Sequence, residues 1–237
     1  MPAAALEIAS LTAGYGDTRV IEDLSLAVAA GRRLAVIGRN GVGKTTLLAT
    51  LMGLTRRLTG SIRLDGRDIA GEGTAARARR GLGYVPQTRD IFASLTVEEN
   101  LLASRKARPR HVIEDAYAMF PRLRERRHNL GAQLSGGEQQ MLSAARAILG
   151  EPSVLLLDEP LEGLAPVICD ELMGSFTKLA ETGTMTIILV EQQLERALDF
   201  ADEAIIMERG RIAWQGTPAA LRADPATVDR LIGVTMR

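Results

Sequence analysis

Apolar positions recur along this chain with more than one spacing. Leu6 and Ile8, then Leu24, Leu26 and Val28, alternate with polar or small residues, and turn-formers lie near Asp17 and Gly31. A period of two predicts strands over residues 6–37 and a small antiparallel sheet. Gly60-Ser61-Ile62-Arg63-Leu64-Asp65-Gly66 reads as a strand closing in an Asp-Gly turn, and Leu82-Gly83-Tyr84-Val85 as another. Val154-Leu155-Leu156-Leu157 is continuously apolar between Pro152 and Pro160. It is too short for a typical helix and so predicts a central parallel strand. Thr186 to Val190, Ala204 to Met207 and Arg211 to Trp214 complete the strands, the last two joined by a Glu208-Arg209-Gly210 turn.

Helical spacing takes over from 88 to 150, with polar, arginine-rich connections and no strand signal. Thr96-Val97-Glu98-Glu99 has the spacing of a capping box, and Met141, Leu142, Ala145, Ile148 and Leu149 form one buried stripe. Leu172, Phe176 and Leu179 mark a later helix, and another falls near 194–201. The pattern predicts a single α/β domain over 1–237. Its core is 1–87 and 151–237, with an antiparallel β subdomain, and its helical subdomain is inserted at 88–150.

Candidate chemistry begins at Gly38-Arg39-Asn40-Gly41-Val42-Gly43-Lys44-Thr45, followed by Thr46. It fits G-x-x-x-x-G-K-[ST] at every fixed position, with a strand leading in and a helical pattern leading out. Three glycines let the backbone fold round an anion, so that N–H groups and a helix N-terminus face phosphates. Lys44 reaches the β- and γ-phosphates in such a loop, and the Thr45 hydroxyl ligates Mg²⁺. A glycine turn that binds nothing is the bland alternative, and the correct flanks weigh against it.

Two carboxylates, Asp158 and Glu159, end the apolar run, where ligands of α/β sheets collect. Asp158 suits Mg²⁺ held through water, and Glu159 suits polarising the water that attacks a γ-phosphate. Gln87 ends another strand, with an amide oxygen fit for Mg²⁺ or its water. Leu134-Ser135-Gly136-Gly137-Glu138-Gln139-Gln140 reads first as a helix start, capped by Ser135 with Glu138 at N3. Two successive glycines at N1 and N2 cost helix stability, and bare N–H groups beside a serine hydroxyl make a second anion site. Tyr15, between Gly14 and Gly16, offers a ring on a flexible turn that can stack on a base.

Bulk properties narrow the classes. With 29 basic and 29 acidic side chains the formal net charge is zero, so no global field favours nucleic acid or anionic lipid. Pro109 interrupts the basic stretch Arg105-Lys106-Ala107-Arg108, and Arg122, Arg124, Arg126 and Arg127 form a second basic patch, read as a solvated face. His111 and His128 lack carboxylate or cysteine neighbours at metal-ligand spacing and read as surface residues. The single cysteine, Cys169, excludes an internal disulfide framework and reads as an inert buried thiol; the single tryptophan, Trp214, reads as packing. There is no signal-like N-terminus, and the longest apolar runs are strand-sized.

Phosphate loop, Gln87, LSGGEQQ and the apolar-Asp-Glu strand, in this order, resemble the ATP-binding-cassette ATPases from Tyr15 to the Gly210 hairpin. The resemblance implies a P-loop NTPase core of RecA-like type and a head-to-tail dimer with two ATPs sandwiched between phosphate loop and signature helix. It implies that Ser135, Gly136 and Gly137, with Glu138 in the same motif, meet the γ-phosphate held by a partner chain. It makes Tyr15 the adenine-stacking residue, Gln87 the link from Mg²⁺ to the helical subdomain, and that subdomain the surface receiving a transmembrane permease.

Phe92-Ala93-Ser94-Leu95-Thr96-Val97-Glu98-Glu99-Asn100-Leu101, Glu162-Gly163-Leu164-Ala165-Pro166 and Leu189-Val190-Glu191-Gln192 resemble the importer ATPases for branched-chain amino acids and their urea and short-amide relatives. Gly38 to Gly43 and Met207-Glu208-Arg209-Gly210 lean to the urea type, Gly163 to Pro166 to the amino-acid type. Two positions depart from the wider family: Gln192 stands where a switch histidine is expected, and Ala165-Pro166 where an aspartate is. Gln192 hydrogen-bonds a phosphate or water but carries no proton at neutral pH, leaving base work to Glu159 and catalysis to Glu159, Gln192 and Lys44. The expected protein is an ATP-hydrolysing importer subunit at the inner face of the cell membrane. Its expected partners are permeases, a second and different ATPase and, indirectly, a solute-binding protein, with no nucleic acid. A soluble ATPase of the same family and a non-hydrolysing regulator are the alternatives; the intact Lys44 and Glu159 argue against the second.

Overall fold

The computed structural model describes residues 2–105 and 108–233. Met1, Lys106 and Ala107 of the basic stretch, and residues 234–237 lie outside the described residues. The alternating segments form β1 (Leu6–Tyr15), β2 (Thr18–Val28), β4 (Arg56–Leu64) and β5 (Arg67–Asp68) in an antiparallel sheet of order β2-β1-β4-β5. Leu6, Ile8, Leu24, Leu26 and Val28 are its buried face.

Residues 33–37 leave that sheet. β3 (Arg33–Ile37) pairs in parallel with both β8 (Thr186–Val190) and β9 (Glu203–Glu208), and the second sheet runs β10-β9-β3-β8-β7-β6. Its other members are β6 (Leu82–Val85), β7 (Val154–Asp158) and the antiparallel edge β10 (Arg211–Gly216). Every residue of β7 and β8 is buried, as parallel strands covered on both faces require. Strands joined by helical crossovers bring β3, β7 and β8 to one sheet end, so the loops after them share a site.

Helix α1 (Lys44–Met52) follows the phosphate loop and packs Leu47, Leu48 and Leu51 between the two sheets. α2 (Thr74–Arg79) precedes β6. Residues 88–150 carry α3 (Val97–Ser104), α4 (Ile113–Met119), α5 (Pro121–Glu125) and α6 (Gly136–Leu149). Among the described residues the only strand-like feature there is an isolated bridge, Thr96 to Leu130. Phe120, between α4 and α5, and Leu142 of α6 share one cluster with Leu155 and Leu157 of β7 and with Phe176 of α7 (Pro166–Glu181). Each such side chain contributes about 1.5–3 kcal/mol on burial, so this cluster ties the inserted helices to the sheet.

The face that carries Leu155 and Leu157 is covered further along, over β3 and β9, by α8 (Leu194–Phe200), α9 (Pro218–Arg222) and α10 (Pro225–Ile232), through Leu198, Leu221, Val228 and Leu231. The apolar spacing does not predict α2, α9 or α10, although Thr217-Pro218 and Asp224-Pro225 are helix starts at which the Thr217 and Asp224 side chains cap the Ala220 and Thr227 N–H groups. Arg122, Arg124 and Arg126 are exposed and pair with Glu171, Glu114 and Glu138, and His111 and His128 are exposed. Cys169 is buried, and Trp214 packs partly buried on the α8–α10 side. No helix among the described residues is long and apolar enough to cross a membrane.

Candidate functional site

The phosphate loop turns because three of its glycines adopt positive φ: Gly38 at 152°, Gly41 at 79° and Gly43 at 109°. At Gly38 a Cβ would stand 2.6 Å from the Met207 carbonyl oxygen, a backbone collision, and at Gly43 3.0 Å from Ile21 Cδ1 on a backbone whose φ strains any side chain. Within the loop Lys44 folds back, 4% exposed, and its Nζ donates to the carbonyls of Gly38 at 2.8 Å and Arg39 at 3.1 Å. Thr45 Oγ1 donates to Asp158 Oδ1 at 3.1 Å.

Asp158 is fully buried at the end of β7, and its second oxygen accepts from the Tyr84 hydroxyl at 3.0 Å. Burial pushes the Asp158 carboxyl above its usual range, against the lowering effect of those two hydroxyls. Burial, and then the Asp158 charge, raises the Tyr84 phenol well beyond its usual value and keeps it a donor.

Glu159 follows with φ 46°, a left-handed conformation rare outside glycine, secured by its N–H donating to Val190 O at 2.9 Å. Its carboxylate lies 3.5 Å from Lys44 Nζ and accepts from Gln192 Nε2 at 2.6 Å and Gln87 Nε2 at 3.4 Å. Gln87 also donates to Glu162. Carboxylates only accept, so Nε2 of Gln87 is the atom turned towards both acids. The loop bearing Gln192 is shaped by the buried Glu191, whose Oε1 accepts from the N–H groups of Gln192 at 2.8 Å and Gln193 at 3.1 Å. Burial raises the Glu191 carboxyl.

These groups surround a cleft of about 250 Å³ lined by Val20, Asn40, Gly41, Gly43, Lys44, Thr45, Thr46, Gln87, Glu159, Glu162 and Gln192. Asp158 lies just behind it through Thr45. Gly38 and Arg39 supply carbonyls to Lys44, and Val42 packs against the core. A larger cavity, about 350 Å³, lies between the inserted helices and the core around Met119, Ile148 and Met185, and holds none of this chemistry.

Two predicted groups stand apart from the cleft. Tyr15 ends β1, 52% exposed. Ser135, Gly136, Gly137 and Glu138 open α6: Ser135 N–H donates to Glu138 Oε2 at 2.8 Å, and Glu138 N–H to Ser135 Oγ at 3.3 Å. Desolvation raises the Glu138 carboxyl, but the Ser135 N–H and hydroxyl and Arg126 together outweigh it and hold the carboxyl below its usual range. A Cβ at Gly137 would lie 2.9 Å from Ile168 Cγ2, so close packing on α7 is a second reason for glycine there. Tyr84, Glu162, Glu191 and Val20 were missed by sequence reasoning. Strand position was the one available signal for Tyr84, and only the pairing of β6 with β7 brings its hydroxyl to Asp158.

Comparison with known proteins agrees with this geometry. A family model described as ABC transporter matches residues 21–162. The chain is 40% identical over 223 residues to the high-affinity branched-chain amino acid transport ATP-binding protein BraG of Pseudomonas aeruginosa, covering 92% of this chain and 95% of that protein. It is 35% identical over 221 residues to the lipopolysaccharide export system ATP-binding protein LptB of Haemophilus influenzae, covering 91% of each. The fold matches the ADP conformation of MJ1267, an ATP-binding cassette of an ABC transporter, with a TM-score of 0.82 at 22% identity, over 96% of each chain. With a phosphate loop, an Asp-Glu strand end and an α6 start on one such fold, this chain belongs to the ABC transporter family as an ATP-binding, ATP-hydrolysing subunit.

Proposed function

We propose that this chain hydrolyses ATP to drive an importer of branched-chain amino acids. The observation that carries the ATPase chemistry is the convergence of Lys44, Gln87 and Gln192 on the Glu159 carboxylate at the cleft. Lys44 and the α1 N-terminus hold the phosphates, with Gly38, Arg39, Asn40, Gly41, Val42 and Gly43 shaping the cradle and Thr46 beside it. Tyr15, exposed at the end of β1 rather than on a turn, stacks on the adenine. Glu159 polarises water, and Gln192 orients Glu159 without carrying a proton. The oxygens of Thr45 and Asp158 meet at 3.1 Å, a hard-donor pair that fits Mg²⁺, with Gln87 as the third polar group nearby. When bound there, Mg²⁺ neutralises charge on the phosphates.

Ser135, Gly136, Gly137 and Glu138 lie away from this chain's own cleft, which supports a head-to-tail dimer in which they complete the partner's site. Contact with permeases through the inserted helices places the subunit on the inner face of the membrane, and a solute-binding protein acts upstream of them. The likeness to BraG supports the amino-acid solute; the urea type remains the second reading, favoured by Gly38 to Gly43 and Met207 to Gly210. Glu159→Gln in the assembled complex lowers ATP turnover by about 10²-fold or more, and uptake of labelled leucine falls with it. Wild-type turnover in that variant removes Glu159 from its role. Loss of urea uptake with leucine uptake intact transfers the subunit to the second reading, and loss of lipopolysaccharide export in place of both makes it an exporter.

A further inference from the structure

Both oxygens of the buried Asp158 are taken by hydroxyls from different elements. Thr45 Oγ1 donates to Oδ1 at 3.1 Å, and the Tyr84 hydroxyl, from the neighbouring strand β6, donates to Oδ2 at 3.0 Å. Thr45 lines the cleft and is exposed to whatever enters it. Tyr84 does not line the cleft and reaches it only through Asp158. Its ring packs partly buried against the cluster that holds α1, and forms part of the wall of the groove between core and inserted helices, beside Pro86 and Ala147. The register Tyr84 to Leu156 and Val85 to Leu157 sets the ring one strand away from Asp158, so the hydroxyl is delivered by a rigid sheet.

We propose that Tyr84 is a positioning residue for the nucleotide site: its hydroxyl holds the Asp158 carboxylate in one orientation, leaving the other oxygen for Thr45 and a Mg²⁺ ion. The role rests on the assignment of Thr45 and Asp158 to Mg²⁺ made above. A carboxylate with one oxygen anchored presents the other in a single direction, whereas an unanchored one rotates about its last torsion and leaves a buried oxygen unpaired. Groups that orient a metal ligand in this way weigh on metal affinity by about 10- to 100-fold. The ring has packing of its own, and Tyr84→Phe keeps the ring while removing only the oxygen.

The test is thermal denaturation of the full chain with saturating ATP, first in EDTA and then with Mg²⁺ titrated in. Wild-type chain gains stability from ATP in EDTA and more as Mg²⁺ rises. For Tyr84→Phe the gain in EDTA equals that of wild type, and the Mg²⁺ midpoint moves upward about tenfold. A midpoint within about threefold of wild type overturns the proposal. Loss of the EDTA gain in the variant also overturns it, because the hydroxyl then serves the fold of the cradle. If wild type itself shows no Mg²⁺-dependent gain, the Thr45–Asp158 assignment fails, and the role of Tyr84 with it.

Discussion

At Glu159 a side chain with three polar neighbours sits on backbone at φ 46°, a conformation that costs a non-glycine residue about 1–3 kcal/mol. That strain persists because β7 and β8 enclose the strand end and Val190 O takes the Glu159 N–H. Gly38 presents the complementary case, where the backbone forbids any side chain. A Cβ there meets Met207 O at 2.6 Å on positive φ, so Gly38→Ala costs about 3 kcal/mol and abolishes ATP binding. Denaturant unfolding and nucleotide titration check the two effects separately. The meeting of Lys44 and Thr45 with Asp158 and Glu159 was legible because a phosphate-loop spacing and an apolar strand end are local features. Tyr84 and Glu162 were not, since a strand tyrosine and a loop glutamate acquire meaning only from Asp158 and Gln87 beside them.

Elements are secured by local rules that read well from sequence and by pairings that do not. Thr96 with Glu99 and Ser135 with Glu138 form reciprocal capping boxes at the spacing their residue types predict. β3, by contrast, follows the alternating segment 6–28 in sequence yet joins the other sheet. Its start is held by Asp202, whose Oδ1 accepts from Arg33 Nη2 at 2.6 Å and whose Oδ2 accepts from the Arg33 N–H at 2.9 Å. The Arg33 hydrogen bonds hold the Asp202 carboxyl below its usual range, outweighing desolvation. A carboxyl lowered in the folded state stabilises above its unfolded value and loses that contribution as pH falls through the folded one. Asp202→Asn therefore lowers Tm most above about pH 5, and the gap to wild type closes below about pH 4. A Tm difference independent of pH assigns the effect to packing instead.

For the molecule as a whole, the position of the α6 start sets the terms of assembly. Its glycines and Ser135 are not among the residues lining the cleft of Lys44 and Glu159, so the proposed site, which uses both, calls for two chains. Gln192 donates a hydrogen bond but does not titrate near neutral pH, which favours a partner ATPase that supplies histidine at its own switch position. Purification of the complex from its native source is expected to yield two different ATPase chains in equal amounts. Two copies of this chain alone contradict that expectation. The C-terminal helices also belong to this scale: Arg39 of the phosphate loop donates to the Arg230 carbonyl of α10 at 3.4 Å, a contact joining residues far apart in the chain.

Taken by itself, the sequence determined the phosphate loop, the Asp-Glu strand end and the LSGGEQQ helix start. In each, residue type and short-range spacing suffice to define backbone conformation. It also determined the α/β class, because strand and helix periods are local properties. Only the tertiary structure decided that β3 joins β8 and β9, that Gln192, Gln87 and Lys44 meet on one carboxylate, and that Tyr84 anchors Asp158. Those contacts join residues far apart in the chain, as between Tyr84 and Asp158, 74 positions apart. No local spacing encodes them; they follow from which strands share the sheet and in what register.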